Sequence, residues 1–161
     1  MVFGMTPFTL FHVLLSLIGI ASGLVVLYGW LQSQRMPGWT AIFLFTTIAT
    51  TLTGFLFPFK GFTPAIDVGI ISTVILIVAL VALYHYHLAG HWRTIFIISA
   101  MAALYFNCFV LVVQAFVKIP ALHSLAPNGS EPPFAVTQAV VLIGFLAAGY
   151  MAVRRYHPVT A

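Results

Sequence analysis

Charged residues are almost missing from this sequence. Asp, Glu, Lys and Arg make up only 5% of its 161 residues, whereas 62% of the residues are hydrophobic. A soluble globular domain carries about 25% charged residues, because it needs them to cover a surface that faces water. A chain without that polar cover is not expected to be a soluble domain, and we expect lipid to be its main solvent.

Cysteine and acidic residues are equally scarce. Cys108 is the single cysteine, which excludes an intrachain disulfide and a CxxC redox motif. Asp67 and Glu131 are the two acids, against six Lys and Arg residues. This basic excess does not indicate a nucleic-acid partner, because a face that binds nucleic acid needs clustered basic residues and those of this chain are scattered.

Five apolar runs occupy most of the chain. A helix that crosses a bilayer needs about 20 residues, and each run is close to that length. The runs cover approximately residues 7–31, 39–57, 64–89, 92–118 and 132–153. Prolines stand at the start of three runs, where a helix accepts them, and proline also follows the second and fourth runs. The sequence therefore predicts an all-α integral membrane protein, a single-domain bundle of five transmembrane helices joined by short loops.

The positions of the basic residues predict how the bundle is oriented. Four arginines fall on one side of the predicted membrane and two lysines on the other: Arg35, Arg93, Arg154 and Arg155 against Lys60 and Lys118. Because cytoplasmic loops are enriched in Lys and Arg, we expect the N-terminus outside and the C-terminus inside. The expected location is a bacterial inner membrane.

Polar residues from four predicted helices fall at a similar depth near the outer side. His12 and Asp67 follow the starts of spans one and three, Gln114 precedes the end of span four, and Gln138 follows the start of span five. Polar groups inside a bilayer need partners and often mark a functional site. We predict that they converge into an outward-facing polar pocket, with His12 and Asp67 as its ionisable pair and the 119–131 loop as a lid.

Further residues extend this candidate ligand site. Asn107 and Lys118 share a face of span four with Gln114, and Glu131 stands at the entrance of span five. The candidate ligand-binding residues are therefore His12, Asp67, Asn107, Gln114, Lys118, Glu131 and Gln138. A simpler interpretation stays open, in which each polar group only caps a helix or joins two helices. Asp67, for example, is favoured near a helix N-terminus by the helix dipole alone.

The stretch YHYHLAGHWR, residues 84–93, suggests a metal or haem site at first sight. His87 and His91 have the spacing of a two-histidine metal site on a helix, and His157 could add a third ligand. However, Gly90 separates them, no acid or cysteine lies on that side, and no facing histidine pairs with His85 to hold haem b. We expect this stretch to lie at the cytoplasmic membrane boundary, with metal or haem binding by His85, His87, His91 and His157 as the alternative.

The function that the sequence indicates is not catalytic. No nucleophile with a base and an orienting group is recognisable. We expect an accessory subunit, or a binder of a small or lipid-like ligand that uses the outer polar pocket. The alternatives are a homo-oligomeric channel or transporter with a His12–Asp67 relay, and a membrane electron-transfer protein that carries haem b. The expected partners are the lipid bilayer and either another membrane protein or further copies of the chain.

Overall fold

A computed structural model describes residues 6–58, 61 and 64–158, and over these residues it contains helices and no strand. The helices are α1 (Pro7–Leu31), α2 (Pro37–Phe55), α3 (Pro64–Leu80), α4 (His91–Lys118), α5 (Pro120–His123) and α6 (Pro132–Arg155). A π-helical segment, Val81–His85, continues α3. Five helices of the described chain are long and apolar enough to cross a membrane, which confirms the prediction of five long apolar helices. The lysine at position 60, which contributed to the predicted orientation, lies outside the described residues.

The start of α1 follows directly from its sequence. Pro7 occupies the first turn, where its missing N–H costs nothing, and the Thr6 side chain accepts a hydrogen bond of 3.2 Å from the Thr9 N–H. Both features are those of a capped helix start. Because the cap holds the first turn in place, residues one turn further along, including His12, keep a defined direction.

The third span ends earlier than its apolar run predicts. The helix stops at His85 instead of continuing to residue 89, and His87 and Leu88 adopt left-handed backbone with φ of 47° and 60°. The Leu88 N–H donates to the Ala82 carbonyl at 3.0 Å, which satisfies one of the last carbonyls of the helix. His87 and His91 therefore do not share one helix, and the four-residue spacing does not place them on one face.

Helix α4 lies at the centre of the bundle and packs against each of the other four long helices. Its residues Phe96 and Leu104 are almost fully buried. Gly23 of α1 allows a close approach to α4 and α2, because a Cβ at that position would lie 2.6 Å from Leu104 Cδ1 and 2.9 Å from Phe43 Cδ2. The face of α1 that carries Gly23 is thus a packing surface.

The exterior of the bundle is strongly apolar. Five large side chains along one face of α6 are between 61% and 66% exposed: Val136, Val140, Ile143, Leu146 and Tyr150. Soluble monomers rarely expose a continuous apolar surface of this kind. Such an exterior is typical of helices that lipid surrounds.

Candidate functional site

The ends of five helices meet at one end of the bundle, which we call the His12 end. Aromatic contacts bring these helix ends together. Phe8 at the start of α1 lies 5.0 Å from Phe57 after α2, and Phe116 near the end of α4 lies 5.4 Å from Phe134 at the start of α6. The Phe55 ring at the end of α2 also packs on the start of α3. The predicted polar residues of spans one, three, four and five accordingly belong to the same end.

His12 is hydrogen-bonded to α2. Its Nδ1 atom lies 2.8 Å from the Thr53 hydroxyl oxygen. That hydroxyl also lies 2.7 Å from the Ala49 carbonyl, to which it donates. Because a hydroxyl has a single proton, Thr53 accepts from His12, and the proton of the neutral imidazole resides on Nδ1. The other ring nitrogen, Nε2, is then a hydrogen-bond acceptor.

The surroundings of His12 are aromatic and open. The imidazole meets the Phe57 ring edge-on at 5.1 Å between centroids, and Gly54 leaves space beside its Cε1 atom. The side chain is only partly buried. Among the described residues, Nδ1 of this ring is hydrogen-bonded and Nε2 has no hydrogen-bond partner. His12 therefore offers an acceptor nitrogen beside apolar rings.

Asn107 occupies a different polar contact, deeper in the bundle. Its amide donates to the Thr47 hydroxyl at 3.3 Å, which joins α4 to α2. Gly19 of α1 covers this pair, since a Cβ there would lie 3.2 Å from the Thr47 oxygen and 3.5 Å from the Asn107 amide nitrogen. Three helices close around Asn107, so its geometry is that of a helix–helix hydrogen bond.

The threonines of α2 do not form a continuous polar path. Four of their hydroxyls donate to carbonyls one turn earlier in the same helix, namely those of Thr46, Thr50, Thr51 and Thr53. Each proton is therefore used within α2, and none is passed to the next threonine. This arrangement satisfies the hydroxyl protons within the helix itself.

Gln138 joins α6 to α4. Its side-chain amide donates to the Phe109 carbonyl at 3.2 Å, and its Oε1 is buried with no hydrogen-bond partner among the described residues. An unpaired buried carbonyl costs about 1–3 kcal/mol. Gln138 is therefore the predicted pocket residue with an unused buried acceptor.

The remaining predicted ligand residues are more exposed. Asp67 lies in the first turn of α3, and Gln114 and Lys118 lie on the surface of α4. Among the described residues, His12 is hydrogen-bonded to Thr53 and not to Asp67. The structure thus brings these residues to one end of the bundle without joining them, and the wider pocket stays a prediction.

Glu131 has a local structural role. Its carboxylate accepts hydrogen bonds from the Asn128 N–H at 3.0 Å, the Asn128 side-chain amide at 2.8 Å and the Ser130 N–H at 3.0 Å. These donors, above all the Asn128 backbone N–H, hold the pKa of Glu131 below its ordinary value. The residue fastens the turn before α6, and the segment predicted as a lid also contains the short helix α5.

The histidines of residues 84–93 are spread over a turn. His85 is exposed and meets the Tyr86 ring edge-on at 4.6 Å, whereas His87 lines a groove described below. In the tail, the backbone N–H of His157 donates to the Ser33 hydroxyl at 2.9 Å. Among the described residues, no three His, Cys, Asp or Glu side chains are grouped closely enough to hold a metal ion.

A groove at the opposite end of the bundle, which we call the Arg35 end, was not predicted. Its volume is about 350 Å³, and its lining includes Trp30, Arg35, His87 and Tyr156. Four separate parts of the chain contribute these residues, so hydropathy and spacing do not indicate that they meet. The sequence does group aromatic and basic residues at this end. Such a group indicates a membrane boundary as readily as it indicates a binding groove.

Comparison with known proteins adds no functional assignment. No protein-family model, no curated protein and no solved structure matches the chain. Any proposal about function therefore rests on the residues at the two ends of the bundle.

Proposed function

We propose that this chain is a non-catalytic integral membrane protein with five transmembrane helices, which binds a small lipid-like molecule at its His12 end. The proposal of membrane insertion is supported by five helices of sufficient length and apolarity. The apolar exterior of α6 supports it further, because such a surface is stable in contact with lipid and not with water.

One observation supports ligand binding above the others: the hydrogen bond between His12 and Thr53. It holds the imidazole in one orientation and places its proton on Nδ1, so that Nε2 is a directed acceptor. Phe8 and Phe57 stand beside it as apolar walls. This combination fits an amphiphile with a hydroxyl or another donor group and an apolar body.

Binding accounts for this site better than catalysis. His12 pairs with a hydroxyl whose own proton is committed to the Ala49 carbonyl, so Thr53 is not activated as a nucleophile. Asp67 does not orient the imidazole through a hydrogen bond in the described residues. An extension of the site to Asp67, Gln114 and Gln138, with residues 119–131 as its cover, is part of the same proposal.

The test is the small-molecule content of the purified protein. Wild type and His12→Phe are purified from membranes in mild detergent, and bound molecules are extracted and identified by mass spectrometry. His85→Phe is the matched control, because His85 is an exposed histidine at the opposite end of the bundle and outside the proposed site. We expect one amphiphile to be retained by wild type and control, and reduced about tenfold in His12→Phe.

Two results would overturn this proposal. The first is an identical set of retained molecules in wild type and His12→Phe. The second is a Soret band in the visible spectrum of the purified protein, because it would assign His12 or another histidine to haem. The spectrum is recorded on the same samples, so that both readings come from one preparation.

A further inference from the structure

The groove at the Arg35 end combines an aromatic floor with a basic rim. Trp30, Phe96 and Tyr156 line it and are each at least 96% buried. The Trp30 ring lies 5.7 Å from Phe96 and 6.1 Å from Tyr156, so the three rings form one packed cluster. Arg35 and His87 lie at the exposed side of the same groove.

One guanidinium group lines this groove, and a second lies near one of its lining residues. Arg35 lines it directly, and the charges of Arg35 and Arg93 both reach the Tyr156 side chain. Burial raises the pKa of Tyr156 against the opposing effect of these two arginines, so its hydroxyl is a protonated donor at neutral pH. The groove therefore combines the guanidinium group of Arg35 with a hydroxyl donor, and Arg93 adds positive charge nearby.

No acidic side chain balances these arginines. The two acids of the chain, Asp67 and Glu131, stand in the first turn of α3 and at the start of α6, at the opposite end of the bundle. Arg93 also has a buried Nε atom with no hydrogen-bond partner among the described residues. An unpaired buried group on a cation is costly, and an anion that reached this guanidinium group would lower that cost.

The backbone adds to the positive potential at this end. Arg93 lies in the first turn of α4, which has no acidic residue and no side-chain cap. The N–H groups at a helix N-terminus favour an anion, and guanidinium groups match phosphate oxygens in geometry. The apolar floor beside them suits the hydrocarbon part of an amphiphile.

We propose that the groove at the Arg35 end binds a phosphate group, with Arg35 and the nearby Arg93 as its cationic partners. Where a lipid carries the phosphate, Trp30 and Phe96 lie beside its apolar part. This site is separate from the one at His12 and does not depend on it. The phosphate belongs either to a lipid head group or to a free anion.

The test is lipid binding to the full chain. Native mass spectrometry measures the binding of phosphatidylglycerol and of phosphatidylcholine to wild type, Arg35→Gln and Arg93→Gln. Arg154→Gln is the matched control, because Arg154 is exposed and lies over the Tyr150 ring at 5.9 Å, on the outward surface of α6. We expect wild type to prefer phosphatidylglycerol about tenfold, and both groove variants to lose about tenfold in that affinity while the control keeps it.

Competition by inorganic phosphate distinguishes the two sources of the anion. Displacement of phosphatidylglycerol by millimolar phosphate supports the free anion as the ligand, and its absence supports a lipid head group. Equal binding of the two lipids by wild type would overturn the proposal, and so would an equal loss in Arg154→Gln. Because Arg35 is exposed, its replacement leaves the fold intact and keeps the test valid even if Arg93→Gln misfolds.

Discussion

The imidazole of His12 and the hydroxyl of Thr53 form a hydrogen bond of 2.8 Å between α1 and α2. The two residues are far apart in the sequence, and the capped start of α1 aligns one with the last helical turns of α2. Through the Ala49 carbonyl, the backbone of α2 determines which ring nitrogen of His12 carries the proton. A polar pair of this kind joins two helices and leaves Nε2 as an acceptor, which is the atom that the proposed ligand would use.

The protonation of His12 is directly measurable. In Thr53→Val the ring loses its acceptor, and we expect the pure Nδ1–H tautomer of the wild type to become a mixture of both tautomers. Nitrogen-15 NMR of the labelled imidazole in detergent measures the ratio. Thr51→Val is the control, because its hydroxyl donates to the Thr47 carbonyl and is not bonded to His12. An unchanged tautomer in Thr53→Val would contradict the hydrogen-bond direction.

Asn107 and Thr47 are expected to contribute to stability as a pair. Thr47→Val leaves the Asn107 amide without its partner, which we expect to lower the free energy of unfolding by about 1 kcal/mol. Denaturation in mixed micelles measures this change. If Asn107 only joins helices, the double variant Thr47→Val with Asn107→Leu recovers most of the loss, because no polar group is then left unpaired. A further loss in the double variant would indicate another role for Asn107.

Sequence reasoning predicts the five helices because long apolar runs and their limiting prolines are local signals. The end of the third helix depends less on local sequence signals. Residues 86–89, Tyr-His-Leu-Ala, contain no glycine or proline that would end a helix. The chain nevertheless turns at His87 and Leu88, and Tyr86 stacks on Trp92 with 3.8 Å between the ring centroids. The stacking and the return bond to Ala82 favour the turn over one more helical turn.

The residues of the candidate sites are harder to predict than the helices. His12 stands out in the sequence because a histidine is unusual inside an apolar run, but its partner Thr53 is one of several similar threonines. Which threonine faces α1 depends on the rotation of α2 about its axis, and spacing alone does not determine that rotation. The groove at the Arg35 end depends on the path of the tail after α6, which brings Tyr156 against Trp30.

Gly23 is expected to be intolerant of any side chain. An added Cβ would lie under 3.0 Å from both Leu104 and Phe43. We expect Gly23→Ala to lower the free energy of unfolding by about 1–3 kcal/mol through overpacking. Gly144→Ala is the control, because a Cβ at Gly144 meets no atom within 4 Å and alanine favours a helix. Equal stability of Gly23→Ala and wild type in mixed-micelle denaturation would show that α1 does not pack this closely.

The turn before α6 is expected to depend on pH through Glu131. Since hydrogen bonds from Asn128 and Ser130 lower the pKa of Glu131 in the folded turn, the ionised form stabilises the turn. This stabilisation is fully present above the ordinary pKa of a glutamate, and it is lost as the pH falls through the lowered pKa of the folded state.

NMR shifts of the Asn128 and Ser130 amide protons follow that titration, and limited proteolysis within residues 119–131 reports the loosening of the turn. We expect Glu131→Gln to be cleaved at neutral pH as rapidly as the wild type is at acidic pH, with an acid-stable protease correcting for enzyme activity. If cleavage of the wild type does not change with pH, or if Glu131→Gln resists cleavage as the wild type does at neutral pH, the carboxylate does not hold this turn.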